Sequence, residues 1–184
     1  MGLRVGDAGR AEKGERFNDI AELGLRRQIG ALLPELRAFA RFLARDRTAA
    51  DDLVQETILR ALSALHQFQT GTSLKAWLFT ILRNAFYELR RRSSRESAAI
   101  AASFDTDEAA SPNQDSRTDI TDLQGLIWTL SPLLREALIL IGAQELSYEE
   151  AALVCGVPVG TMKARLSRAR VALANAVKEA EQTA

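Results

Sequence analysis

Lys163, Arg165, Arg168 and Arg170 put four positive charges and no negative one into residues 161–170. A second cluster, "RNAFYELRRRSSR" at 83–95, holds five arginines and one acid. At this density guanidinium and ammonium groups neutralise phosphates, and arginine can also pair bidentately with a guanine edge. A third group, Asp52, Gln55, Glu56 and Leu59, stands at i, i+3, i+4 and i+7 of one stretch. Such carboxylates could ligate a metal, but the Glu-x-x-His companion of helical carboxylate sites does not occur. Water is the simple partner, and a basic protein groove with Leu59 as its apolar contact is the other. Covalent chemistry is poorly supplied, because His66 is the only histidine and Cys155 the only cysteine. Neither an intrachain disulfide nor a Cys/His zinc site can be assembled from them. No cofactor or metal is expected, and an enzyme is the remote reading.

The formal net charge of zero argues against a nucleic-acid partner only until its distribution is read. Residues 105–122, "DTDEAASPNQDSRTDITD", carry six acids and one arginine, so an acidic strip separates two basic patches. The composition, 47% hydrophobic and 26% charged, is that of a soluble globular protein. No run of eighteen apolar residues suggests a membrane span, and "MGLRVGDAGRAEKGERF" lacks the apolar core of a signal peptide. Cytoplasmic residence is the default expectation.

The elements that position these groups are helices, because the apolar residues recur at helical spacing nearly throughout. A first helix is expected from about Leu25 to Ala44, with Pro34 forcing a kink or a late start. A second begins after Thr48 as N-cap, with Asp51 three residues on, and buries Leu53, Val54, Ile58, Ala61, Leu62 and Leu65. It stops near His66, and "QFQTGTS" follows as a loop. A third runs from Thr72 or Ser73 through Trp77, Leu78, Ile81, Leu82, Ala85 and Leu89 to the arginines. Its polar face gathers Thr80, Arg83, Asn84, Tyr87, Arg90 and Arg91, and cations, an amide and an aromatic ring suit a single-strand platform. A helix C-terminus favours one or two cations, hardly five. From Ser97 to Thr118 the pattern collapses into a linker. Helices resume with "TDLQGLIWTL" and with "SPLLREALILIGAQ", which Ser131 is expected to cap with Pro132 at the first helical position.

Residues 148–170, "YEEAALVCGVPVGTMKARLSRAR", complete the chain's organisation. Ser147 and Glu150 form an S-x-x-E capping box for a helix from Tyr148 to Cys155. Gly156 supplies a positive φ for the turn, and Val157 plugs the angle between two helices. The second of these packs through Met162, Leu166, Ala169 and Leu173. Its opposite side shows Gly160, Ala164, Ser167, Arg168 and Val171, flanked by Lys163, Arg165 and Arg170. Small residues ringed by long cations let a helix enter the major groove. The fold class expected is all-α: two small helical domains joined by a flexible acidic linker, with divisions at 1–19 (disordered N-terminus), 20–96, 97–118 (linker), 119–178 and 179–184 (tail).

"DDLVQETILRAL", "FQTGTSLKAWLFTILRNAFYELRRR" and "SYEEAALVCGVPVGTMKARLSRAR", in this order and spacing, resemble the extracytoplasmic-function (ECF) group of bacterial sigma factors, over most of residues 20–175. The resemblance implies a sigma-2 domain for the promoter −10 element and a sigma-4 domain for the −35 element. It implies that Asp52, Gln55, Glu56 and Leu59 contact the β′ clamp of core RNA polymerase, and that the β flap is a second docking point. It further implies that the loop with Gln67, Thr70, Gly71, Thr72 and Ser73 holds a flipped base, at an unstacking cost of a few kcal/mol. Arg83, Asn84, Tyr87, Arg90 and Arg91 would then bind the −10 strand. The −35 surface would comprise Thr161, Lys163, Ala164, Arg165, Ser167, Arg168 and Arg170. Of these Lys163, Ser167 and Arg168 face base edges, while Arg165 and Arg170 meet phosphates. The linker, about 22 residues, averages roughly 25 Å as a coil and stretches to about 75 Å. The promoter elements lie about 70 Å apart, which calls for a nearly taut tether.

"VCGVPVGTMK" is also similar to the alphaproteobacterial general-stress subgroup, which implies a small helical anti-sigma factor as a further partner. Two competing readings remain. One is a sigma-like decoy that binds an anti-sigma factor and no promoter, although such decoys usually carry a receiver domain and need not keep both cationic faces. The other is a stand-alone helix–turn–helix regulator, which predicts dimeric binding to a palindrome without polymerase.

Overall fold

The computed structural model describes residues 22–44, 46–103 and 123–183, and among these every regular element is a helix. Helix α1 covers residues 22–31, the chain turns at Leu32, and α2 spans Leu33–Ala44. The single helix expected over this stretch is thus two, and Pro34 sits in the first turn of α2, where its missing N–H deprives the helix of nothing.

Helix α3 spans Arg47–Ser63 and is capped by Asp46, whose carboxylate accepts from the Ala49 N–H at 2.7 Å. The cap expected at Thr48 is therefore misplaced by two residues, since a carboxylate two positions earlier already serves the free N–H groups. A short 3₁₀ turn, Leu65–Gln67, follows and contains His66. Helix α4 starts at Leu74, with the Ser73 hydroxyl accepting from the Ala76 N–H at 3.2 Å, and runs to Ser103. It passes seven residues beyond 96, into what composition reads as linker. The reason is local: "SAAIAAS" at 97–103 holds four alanines, the best helix formers. The N-terminal arm at 1–19 and linker residues 104–118 lie outside the described residues.

In the second unit α5 is Leu123–Thr129 and α6 is Pro132–Leu138. Proline opens α6 as expected, but no side-chain bond from Ser131 caps it. The helix expected to continue to Gln144 instead widens into a π turn over Ile139–Ala143, where the Gln144 N–H reaches back five residues to the Ile139 carbonyl at 2.8 Å. Helix α7, Tyr148–Cys155, has both halves of its capping box: Ser147 Oγ accepts from Glu150 N at 3.1 Å and Glu150 Oε2 from Ser147 N at 2.8 Å. Gly156 stands at φ 63°, ψ 40°, the left-handed geometry that ends such a helix. Helix α8 runs Val159–Thr183, past residue 178 where a tail was expected.

Packing follows the apolar stripes. In the first unit Leu36, Phe39, Leu53, Leu78, Phe79 and Leu82 are buried, and the Phe39 and Phe79 rings stack at 5.0 Å. In the second, Ile139, Leu140, Val154, Met162, Leu166 and Ala169 are buried, while Leu173 is only half-buried. The two sets touch: α7 lies along α4 and α6 reaches α2, so buried residues of both units join one apolar cluster. The units are docked on each other.

Candidate nucleic-acid interface

Helix α8 shows the face that the sequence assigned to it. Lys163, Ala164, Ser167, Arg168 and Arg170 are exposed, as is Gly160, and Val171 is 61% exposed although apolar. Burial of Met162, Leu166 and Ala169 on the other side fixes this rotation. The Lys163 ammonium lies 5.4 Å from the centre of the Tyr148 ring, a cation–π contact that ties α8 to the start of α7. Thr161 is half-buried. Arg165 departs from the expected flank position, being half-buried, with one guanidinium nitrogen out of solvent.

In the loop before α4, Gln67, Thr70, Gly71 and Thr72 are exposed and Ser73 is half-buried. Gly71 has φ 93°, and the Thr72 hydroxyl donates to the Gln69 carbonyl at 2.7 Å, which closes the turn. Phe68 packs on Trp77 at 5.4 Å, so Trp77 belongs to the core edge. Along α4, Asn84, Arg90 and Arg91 are exposed. Arg83 and Tyr87, one helical turn apart, are half-buried, with the guanidinium 4.6 Å from the ring centre. On α3, Asp52 and Gln55 are exposed and Leu59 is 63% exposed. Glu56 pairs with Arg60 at 2.7 Å, and Arg60 with Glu88 of α4 at 2.6 Å.

Three features were missed in the sequence. The first is a cleft of about 330 Å³ beside Gln55, lined by Arg37, Arg41, Arg47 and Asp51. Arg37 and Arg41 stand one turn apart on α2, a spacing that could have drawn notice. The second is Glu136, a carboxylate 2% exposed that accepts from Arg83 Nε at 3.1 Å, from the Tyr87 hydroxyl, and from the Cys155 thiol at 3.8 Å. Its signal was a lone acid three and four residues before the apolar Ile139 and Leu140, hence on the buried side. The third is Lys75, whose ammonium donates to the Gln144 carbonyl at 2.6 Å.

Electrostatics at this junction follow from burial. Burial is the largest single influence on Arg83 and lowers its pKa, but the charge of Glu136, the Cys155 thiol and the bond to Glu136 together outweigh it, so the net direction is upward. Burial first, then the bond to Glu136, pushes the Tyr87 phenol up to about 12. Burial and then the Glu136 charge push the Cys155 thiol up to about 12. The Ser73 hydroxyl, then the Ser147 N–H, hold Glu150 below the ordinary carboxylate range.

A helix–turn–helix with a cationic second helix, joined to a helical unit whose long α4 carries an arginine cluster, defines a class, and comparison with known proteins agrees. Residues 29–96 match sigma-70 region 2, and residues 120–173 match sigma-70 region 4. The chain belongs to the ECF sigma factors of the sigma-70 family. It is 46% identical over 146 residues to the ECF RNA polymerase sigma factor EcfG of Rhodopseudomonas palustris (strain TIE-1), covering 79% of this chain and 81% of that one. Among solved structures it resembles the sigma factor RpoE of Bartonella quintana, in complex with the anti-sigma factor NepR, with a TM-score of 0.70 and 43% identity over 83% of this chain and 96% of that one. CnrH, in complex with the cytosolic domain of CnrY, gives a TM-score of 0.60 and 28% identity over 88% and 94%. Among the described residues no helix is long and apolar enough to cross a membrane.

Proposed function

We propose that this chain directs core RNA polymerase to a particular set of promoters in the cytoplasm. Asp52, Gln55, Glu56 and Leu59 engage the β′ clamp, and the second unit meets the β flap. Gln67, Thr70, Gly71, Thr72 and Ser73 take a flipped base, while Arg83, Asn84, Tyr87, Arg90 and Arg91 bind the melted −10 strand. Thr161, Lys163, Ala164, Arg165, Ser167, Arg168 and Arg170 form the −35 surface, where a bidentate arginine–guanine pair discriminates by about 1–3 kcal/mol. The polymerase makes the bonds, and this subunit chooses where and helps to open the duplex. An anti-sigma protein is the restraining partner, a reading supported by the similar sigma factor RpoE, solved in complex with the anti-sigma factor NepR.

The observation that carries the reading is the exposed α8 face, small at its centre and cationic around it, opposite the buried Met162–Leu166–Ala169 stripe. Run-off transcription with core polymerase on a promoter library tests it. Wild-type chain should select paired −35 and −10 sequences. Arg168→Ala should relax selection at −35 only, and changes in the 67–73 loop should relax it at −10 only. Failure of the wild-type chain to confer start-site choice would overturn the function. Unchanged preferences in both variants would remove the residue roles alone.

A further inference from the structure

Within its own unit Glu136 has a single hydrogen-bond partner. It lies on α6, and of its three partners only the Cys155 thiol, a weak donor, comes from the second unit. The other two, Arg83 and Tyr87, come from α4 of the first unit. A carboxylate out of solvent is costly unless charged or strong donors surround it, so its burial depends on the docking of the two units. The donors, by contrast, do not depend on Glu136. Arg83 and Tyr87 are one turn apart on α4, and the guanidinium sits against the phenol ring. Arg83 Nε and the Tyr87 hydroxyl therefore form a preset pair of donors, and they grip the two different oxygens of one anion: Oε2 and Oε1. A phosphodiester also offers two neighbouring anionic oxygens, in the geometry that arginine recognises.

We propose that Arg83 and Tyr87 form the seat of one backbone phosphate of the melted strand, and that Glu136 fills this seat in the free chain. The proposal rests on the reading of α4 as the −10 face and adds to it a ligand group and a competitor. Docking of the units and strand binding are then mutually exclusive. The contacts at the other end of the junction agree. Lys75, ion-paired with Glu35 of α2, also donates to the Gln144 carbonyl, and α7, which carries Glu150, packs along α4, which begins just after Ser73. The second unit thus covers the −10 face at two points, both on residues that the strand would otherwise meet or pass.

The test uses the full chain without polymerase and fluorescein-labelled dT12, which offers phosphates without sequence. Fluorescence anisotropy compares wild type with Glu136→Gln, which keeps the shape and removes the charge. The variant should bind at least about tenfold tighter at low salt, and a single methylphosphonate moved along the strand should abolish the gain at one position. Small-angle scattering of the wild-type chain should show a larger radius of gyration once dT12 saturates it. Equal affinities in a folded variant, or wild-type chain that binds the strand without expanding, would overturn the proposal. If the variant loses its helical circular dichroism, the wild-type scattering decides alone. Start-site choice in run-off transcription should survive Glu136→Gln. Loss of start-site choice by wild type strikes the proposed function instead, while the anisotropy still reports on the seat.

Discussion

Two protons at the junction make stability depend on pH. The Cys155 thiol and Tyr87 phenol hold theirs to about 12, against ordinary values of 9.0 and 10.0. Between those limits the folded chain binds more protons than the unfolded one, so this contribution is complete below about pH 9 and falls as pH rises towards 12. Urea midpoints should accordingly drop between pH 8 and 10.5, and a level midpoint contradicts the assignment. Glu150 acts in the opposite sense: its stabilisation is present above its ordinary value of 4.5 and is lost as pH falls through its depressed pKa. Gly71 is a third residue with a definite expectation. Its φ of 93° is strained for any side chain, although a Cβ there meets no atom within 4 Å. Gly71→Ala should therefore cost about 1–2 kcal/mol through the backbone alone, seen as a lower melting temperature and a weaker −10 preference. Neither cationic face nor the loop glycine needed coordinates to be found, because charge and φ preference are properties of single residues. Glu136 did, because its donors lie about fifty positions earlier in the chain.

The elements were readable where a rule acts over four residues. The Ser147–Glu150 box and the Gly156 turn stand as expected, and Ser147→Ala should lower the stability of the second unit by about 1 kcal/mol, measured by thermal melting. The cap of α3 was misread because Asp46 and Thr48 both satisfy the same rule and only geometry chooses between them. The π turn after α6 was unreadable for a different reason. Ile139–Ala143 has good helical periodicity, and the widened turn leads into Gln144, whose carbonyl accepts from Lys75, 69 positions away in the chain. Helix α3 offers its own test. Asp52 and Gln55 face solvent beside Leu59, so Asp52→Arg should weaken capture by core polymerase at least tenfold in a pull-down titration while the helix content stays unchanged.

At the scale of the molecule, two units were legible and their docking was not. The division follows from composition and from two separate helical patterns, but the packing rests on contacts between α4 and the α6–α7 region that no local pattern encodes. Docked units cannot span promoter elements about 70 Å apart, so the working form must be open. Helix α4 continues to Ser103, seven residues into the stretch expected as linker, so the direction in which this helix leaves the first unit matters as much as its length.

One asymmetry then sets a timetable. Lys163, Arg168 and Arg170 of α8 already face water, whereas Arg83 and Tyr87 are occupied. Paired DNA can be touched first and at once; the unpaired strand must wait until the protein has let go of itself. In stopped-flow mixing of the chain with a fork-shaped duplex, a fast salt-sensitive phase should therefore precede a slower one whose rate does not rise with DNA concentration.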